Sequence, residues 1–499
     1  MANSQSLQEK VIKGSIITLL LTLVGSIFAY AIRVLYSHNL SVENYGLFYA
    51  VFGLFSLFTV YTDLGFGFSM VYFLPKYIKL KNYSRAWNIF IYSQVISLTM
   101  SIIISLILVR MAPFLARNYF KVASSEIIIY ILCVYLISFT IINGLIQVYS
   151  GMQKERYYSS ITAFRWFLTL LFSALFLISG FSNITFYAVA WVLGHVLTAT
   201  IFLILLFYKH SFLTQNKIVW EGAIFRQMFA VALPAILETF VSSIATTTDT
   251  FFLTLFKGVK EVGIYNIIYP LAFIPIILLA PINTLLLPLV SHMMVDEKDK
   301  LKYLINRILE IVPFVGLYFA LFIMMFPSSI VRLIFGEKWV GLVETPLTIL
   351  SLGTIVMLMN GILGIVTLGT GKIREKLKAT AVVAVIGISL NALLIWYYGL
   401  LGAVITVGVV ALLVSFFLIR IIKSVVPFTI PYLFYLKLLT FAFTVYLAVR
   451  LTGINSHKWP EFILLGCLYT VIYFIFGYFM KIYDKKLLQM VLPRKKVLS

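Results

Sequence analysis

Charge is what this sequence has least of. Asp, Glu, Lys and Arg make up 11% of its 499 residues, where soluble proteins average about 25%. With 62% of residues apolar and a mean hydropathy of +1.02, no water-soluble fold could cover the apolar surface, which excludes a soluble enzyme. Cysteine is nearly absent. Cys133 and Cys467 both lie inside apolar runs, so no disulfide framework is implied. Long polar connections are missing too. A membrane glycosyltransferase or polymerase needs a sizeable extramembrane region with acidic catalytic groups, and none is present. No glycine-rich phosphate loop, zinc-ligand spacing or nucleophile motif occurs. The chain is therefore expected not to be an enzyme and to need no cofactor. No cleavable signal peptide stands out, because residues 1–13 are polar and the first apolar run is long enough to stay as an anchor.

What is there is apolar length. A spanning helix needs roughly 20 apolar residues, and fourteen segments qualify. They are residues 14–36, 45–74, 88–111, 126–149, 158–180, 184–208, 229–256, 262–291, 308–326, 346–368, 377–398, 400–419, 431–449 and 462–480. The formal net charge of +21 sits mainly between them. With a cytoplasmic N-terminus, and with the span-end residues Arg110 and Lys378 counted to the loops they adjoin, 27 of the 39 Lys and Arg fall on the cytoplasmic side, 9 outside, and three (Arg33, Arg165 and Lys437) within spans. This positive-inside split places both termini in the cytoplasm and the chain in the cytoplasmic membrane. Lys437 is expected to snorkel to the inner surface. The basic tail Arg494-Lys495-Lys496 is expected to meet anionic headgroups.

The segments repeat. Asn143-Gly144-Leu145-Ile146 resembles Asn360-Gly361-Ile362-Leu363 at an offset of 217, and Gly46 matches Gly263 at the same offset. The expected architecture is an all-α polytopic membrane protein with about fourteen transmembrane helices. Two six-helix lobes, related by an axis along the membrane normal, occupy residues 1–210 and 211–424, and a C-terminal helix pair with its basic tail fills 425–499. The second span is too long for one straight helix and is interrupted at Asp63, Gly65 and Gly67. Its counterpart, the eighth, carries Pro270, Pro275, Pro281 and Pro288. Matching interruptions in two halves point to a transporter's cavity.

A charged side chain at mid-membrane costs at least ~2.5–3.5 kcal/mol and needs a reason. Arg33 falls in a polar stripe with Ser26, Tyr30 and Ser37, and Arg165 shares a helical face with Thr162 and Thr169. Both are candidates for lining a cavity, with Asp63, Asn143 and Asn360 completing the expected substrate-binding set. Glu238 and Asp249 lie eleven residues apart, nearly three full helical turns, so both carboxylates share one face roughly 16 Å apart. Thr246, Thr247 and Thr248 add hydroxyls beside Asp249. This suits stations for a coupling cation, Na⁺ or H⁺, with Asn391 and Thr406 as further oxygen donors. His195, in the sixth span, reads as a helix–helix contact.

In their order and spacing, short motifs carry a resemblance. They are Arg33 before Tyr45-Gly46-Leu47-Phe48, Asp63-Leu64-Gly65, Leu233-Pro234, Asp249-Thr250, Leu287-Pro288-Leu289 and Phe335-Gly336. The sequence resembles the polysaccharide (O-antigen-type) flippases of the multidrug/oligosaccharidyl-lipid/polysaccharide exporter superfamily, over the first twelve spans. The resemblance implies two helical lobes around a cavity open alternately to each side. It implies a polyprenyl-pyrophosphate-linked oligosaccharide as substrate, and a groove for the lipid tail at the last two spans. In the related lipid II flippases an acidic residue of span 7 joins a sodium site, and Asp249 looks like the matching position. Their arginine early in span 8 has no equivalent in Tyr265-Asn266-Ile267-Ile268, which argues against lipid II as substrate. The expected function is a cation-coupled flippase, monomeric, embedded among membrane lipids, working beside glycan polymerase or ligase machinery and not with nucleic acid. A multidrug cation exporter is the alternative, disfavoured by basic residues in the cavity.

Overall fold

The computed structural model describes residues 2–454 and 456–482. Among them every regular element is helical. In chain order these are α1 (Ala2–Asn39), α2 (Val42–Asp63), α3 (Phe66–Lys79), α4 (Tyr83–Phe114), α5 (Ser125–Gly151), α6 (Glu155–Ile178), α7 (Ile184–Lys209), α8 (Ser211–Thr214) and α9 (Gly222–Lys257). They continue with α10 (Val259–Ala272), α11 (Leu279–Asp296), α12 (Lys298–Met325), α13 (Pro327–Phe335), α14 (Glu344–Gly369), α15 (Ile373–Tyr398), α16 (Leu400–Lys423), α17 (Tyr432–Thr452) and α18 (Trp459–Phe479).

Twelve helices among the described residues are long and apolar enough to cross a membrane. They coincide with all the expected spans except the seventh and eighth. The seventh corresponds to α9, which at 36 residues is the longer of the two. The eighth is divided: α10 ends at Ala272, a tight 3₁₀ turn with Pro275 at its start covers Ile274–Leu278, and α11 follows. Proline supplies no N–H to the preceding turn, so the helix yields there. The second span is divided as well. Leu64 and Gly65 both take left-handed backbone angles, with φ of 47° and 75°, between α2 and α3. The protein is a multi-pass membrane protein of all-helical fold.

The chain forms two compact units, Met1–Gly263 and Ile264–Ser499. Within the first, α9 and the first residue of α10 pack along α2 and the break after it at backbone distance. A Cβ on Gly46 would meet the Val259 carbonyl, one on Gly53 the Thr250 methyl, and one on Gly65 the Ala232 backbone. The chain entering α9 is also tied to α4. Asn88 donates to the Val219 carbonyl at 2.9 Å and accepts from its N–H at 3.1 Å. The Tyr92 hydroxyl donates to the same carbonyl and accepts from the Glu221 N–H.

In the second unit, the Asn306 side chain on α12 accepts from the Thr429 N–H at 3.2 Å, where the chain turns into α17. The last two helices lie against α12 through tyrosines. Tyr435, Tyr469 and Tyr473 donate to the carbonyls of Leu309, Tyr318 and Phe314 at 2.9, 2.7 and 2.7 Å. Charges at the helix ends pair locally, as in Arg85–Glu221 at 3.0 Å and Lys300–Glu297 at 2.6 Å. The Lys300 hydrogen bond holds the Glu297 carboxyl below its ordinary value. Such exposed pairs add little stability. Cys133 is buried and Cys467 exposed, and both are free thiols.

Candidate functional site

Arg33 and Arg165 stand on α1 and α6 of the first unit, two helices close enough for Gly25 to touch the Ala163 backbone. The Arg33 guanidinium lies over the Tyr49 ring, 4.6 Å from its centre. Tyr45 and Tyr30 lie beside it. The Arg165 guanidinium lies 4.7 Å over Trp166 and 5.9 Å from the Phe139 ring. Tyr135 and His195 adjoin it. Cations over desolvated aromatic faces gain up to about 2 kcal/mol each. This helps to hold two guanidinium groups at membrane depth.

A run of rings joins the two arginines. Tyr49 touches Phe48, Phe48 touches Trp191, and Trp191 touches Trp166, each pair with centres 5.3 Å apart. Phe52 bridges Trp191 to Tyr135 at 5.1 and 5.7 Å, and Tyr135 meets His195 edge-on at 4.8 Å. Helices α1, α2, α5, α6 and α7 all contribute. His195 is a helix contact, as expected, and more. Its Nδ1 donates to the Trp191 carbonyl at 2.7 Å, and a carbonyl only accepts, so Nε2 is left as an acceptor.

Around Arg165 the buried donors Arg165 Nε, Trp191 Nε1 and the Tyr187 hydroxyl lack a hydrogen-bond partner among the described residues, and at the Arg33 end so does the Tyr49 hydroxyl. Among the described residues Arg165 also makes no ion pair. A buried donor left unpaired costs about 1–3 kcal/mol, so each asks for an acceptor.

The other expected site residues are placed differently. Asp63 caps the helix that follows the break: its carboxylate accepts from the Gly67 N–H at 2.7 Å and from Gln147 at 3.3 Å, with Ser97 also bonded to it. Asn143 is half-buried on α5. Asn360 pins α14 to α16, donating to the Ala411 carbonyl at 2.8 Å and accepting from Ser415 at 2.6 Å. Of the stripe around Arg33, Ser26 and Ser37 donate to their own helix, at the Thr22 and Val34 carbonyls.

Asp249 is buried on α9 in the first unit, and Asn391 and Thr406 are buried in the second. The Thr406 hydroxyl donates to the Gly402 carbonyl at 2.9 Å. The Glu238 side chain lies outside the described residues, as does the basic tail. Among the described residues no three His, Cys, Asp or Glu gather as a metal site would require. The ring network was missed from the sequence, although Tyr187, Trp191 and His195 fall four residues apart and so share one helical face.

The described spanning helices of the first unit thus enclose two buried cations and a continuous run of rings. The family model described as polysaccharide biosynthesis protein matches residues 11–294, more than half of the chain. The MatE family model matches residues 234–393. The chain is 23% identical over 414 residues to an uncharacterized membrane protein of Methanocaldococcus jannaschii, covering 80% of this chain and 82% of that protein. It is 25% identical over 186 residues to the capsular polysaccharide biosynthesis protein CapF of Staphylococcus aureus, covering 37% of this chain and 47% of that one.

Among solved structures, the lipid II flippase MurJ in an inward closed conformation superposes with a TM-score of 0.71 at 14% identity, covering 93% of this chain and 99% of that one. An inward-facing multidrug resistance MATE family transporter of the MOP superfamily gives 0.68 at 17% identity, covering 82% and 98%. The chain shares the fold of these membrane transporters. The chain belongs to the polysaccharide biosynthesis protein family.

Proposed function

We propose that the protein carries a polyprenyl-pyrophosphate-linked oligosaccharide across the cytoplasmic membrane by alternating access, with Arg33 and Arg165 receiving the diphosphate. The observation that carries this reading is the pair of guanidinium groups set at either end of one continuous run of rings. A diphosphate requires fixed positive charge, and arginine offers it as a two-pronged donor. Aromatic faces suit the apolar faces of sugar rings. The family membership and the capsular polysaccharide relative support a glycan substrate. The protein works as a monomer, with both termini cytoplasmic, beside glycan polymerase or ligase machinery.

The test is flipping in proteoliposomes loaded with a polyprenyl-pyrophosphate oligosaccharide, read by accessibility of the glycan to an impermeant oxidant. Arg165→Ala is expected to reduce flipping to the level of empty vesicles while the protein elutes as a folded monomer. Arg165→Lys should retain part of the rate, because charge survives and the fork does not. Wild-type flipping by Arg165→Ala would exclude this assignment. The MatE match favours a multidrug cation exporter as the second reading. Efflux of a quaternary ammonium dye without glycan flipping would select it.

A further inference from the structure

The unpaired groups around Arg165 share one chemical property. Trp191 Nε1 and Arg165 Nε are donors that cannot accept, and the Tyr187 hydroxyl is free to donate. Trp191 is 4% exposed and Tyr187 not at all, so bulk water does not serve them. Tyr187 and Trp191 lie one turn apart on one face of α7. Rings fix both in place. Trp191 packs against Phe48, Phe52 and Trp166, and Tyr187 stands 4.6 Å from the Tyr36 ring. The Tyr36 hydroxyl donates to the Tyr187 carbonyl at 3.1 Å, and the Tyr187 hydroxyl itself has no partner among the described residues. The site therefore has donors in excess and its net charge is positive.

Resting on the flippase reading, we infer that Trp191 is a specificity-determining residue. Its indole N–H, together with Arg165 Nε–H, donates to the phosphate oxygens of a prenyl diphosphate, and the Tyr187 hydroxyl is the next donor along the same face. The indole N–H and the guanidinium N–H accept nothing, so they favour a ligand of many acceptors over an organic cation, which brings them no lone pair and is repelled by Arg165. The arginine supplies charge, which any anion satisfies. The indole supplies a directed bond at a fixed place, which selects for an oxygen held there.

The probe is farnesyl diphosphate titrated into the purified full-length protein in detergent, with farnesol and tetraphenylphosphonium as controls. Wild type should bind farnesyl diphosphate. Trp191→Phe, which keeps a ring and loses the N–H, should bind it roughly ten- to a hundredfold more weakly, the range for one hydrogen bond to a charged group. The indole ¹H–¹⁵N resonance of Trp191 in the wild-type protein should move downfield on adding farnesyl diphosphate and stay unmoved on adding farnesol. This second readout holds even where the variant does not fold. Farnesyl diphosphate binding with an unmoved Trp191 resonance overturns the role of Trp191 and leaves the flippase reading standing. Equal affinity of wild type and Trp191→Phe does the same. Binding of tetraphenylphosphonium but not farnesyl diphosphate overturns both.

Discussion

At the scale of single residues, one proline explains one tyrosine. Pro313 has no N–H, so the Leu309 carbonyl one turn earlier in α12 loses its helical donor. The Tyr435 hydroxyl from α17 takes that place at 2.9 Å. Tyr435→Phe removes the substitute and leaves a buried carbonyl unpaired. It should destabilise the protein by about 1–3 kcal/mol, read as an earlier unfolding transition in detergent. In the Pro313→Ala background, where the helix supplies its own N–H, the same substitution should cost much less. The arginine pair was legible in the sequence, because a charge at membrane depth is conspicuous on composition alone. Trp191 and Tyr187 were not. In a chain with 16% aromatic residues, no single ring stands out until its neighbours are known. Asp63 and Asn360 carried the same signal as the arginines, polarity within a span. Their partners, Gly67 and Gln147 for one and Ala411 and Ser415 for the other, come from folded geometry that spacing does not reveal.

At the scale of elements, the contact of α2 with α9 and the first residue of α10 depends on what each glycine faces. At Gly46 the obstacle to a side chain is the Val259 carbonyl, which is backbone and cannot turn away. At Gly53 it is a methyl group of Thr250. Alanine gains about 1 kcal/mol of helix propensity over glycine, and crowding in a packed interior costs typically 1–3 kcal/mol. Gly53→Ala should therefore be nearly neutral and Gly46→Ala clearly destabilising. Parallel thermal melts of the two variants check the order, and a Gly53→Ala protein less stable than Gly46→Ala would contradict it. The broken second and eighth spans were readable in advance, since Gly65 and Pro275 are residues that stop helices. The close packing of α9 on α2 was not. The repeat assigns α9 to the second half, and only tertiary contact shows which unit holds it.

At the scale of the whole molecule, coupling is the property that single contacts do not contain. Asp249 is buried on α9, within the first unit. If it carries the coupling cation, Asp249→Asn should leave a folded protein whose flipping no longer responds to an imposed Na⁺ or H⁺ gradient. The measurement is flipping in proteoliposomes with and without each gradient, and an unchanged response would remove Asp249 from that role. The two asparagine ties bear on a different matter, how such a chain grows. Asn88 holds Val219 where the polypeptide turns toward α9, and Asn306 holds Thr429 where it turns toward α17. The third spanning helix of each half thus holds a socket for the chain that follows the sixth. A half built this way is extended by plugging more chain into a fitting already present, with no redesign of its interior. The second socket received a pair of helices where the first received a whole second half. A duplicated gene that gained two further spans would leave such a record.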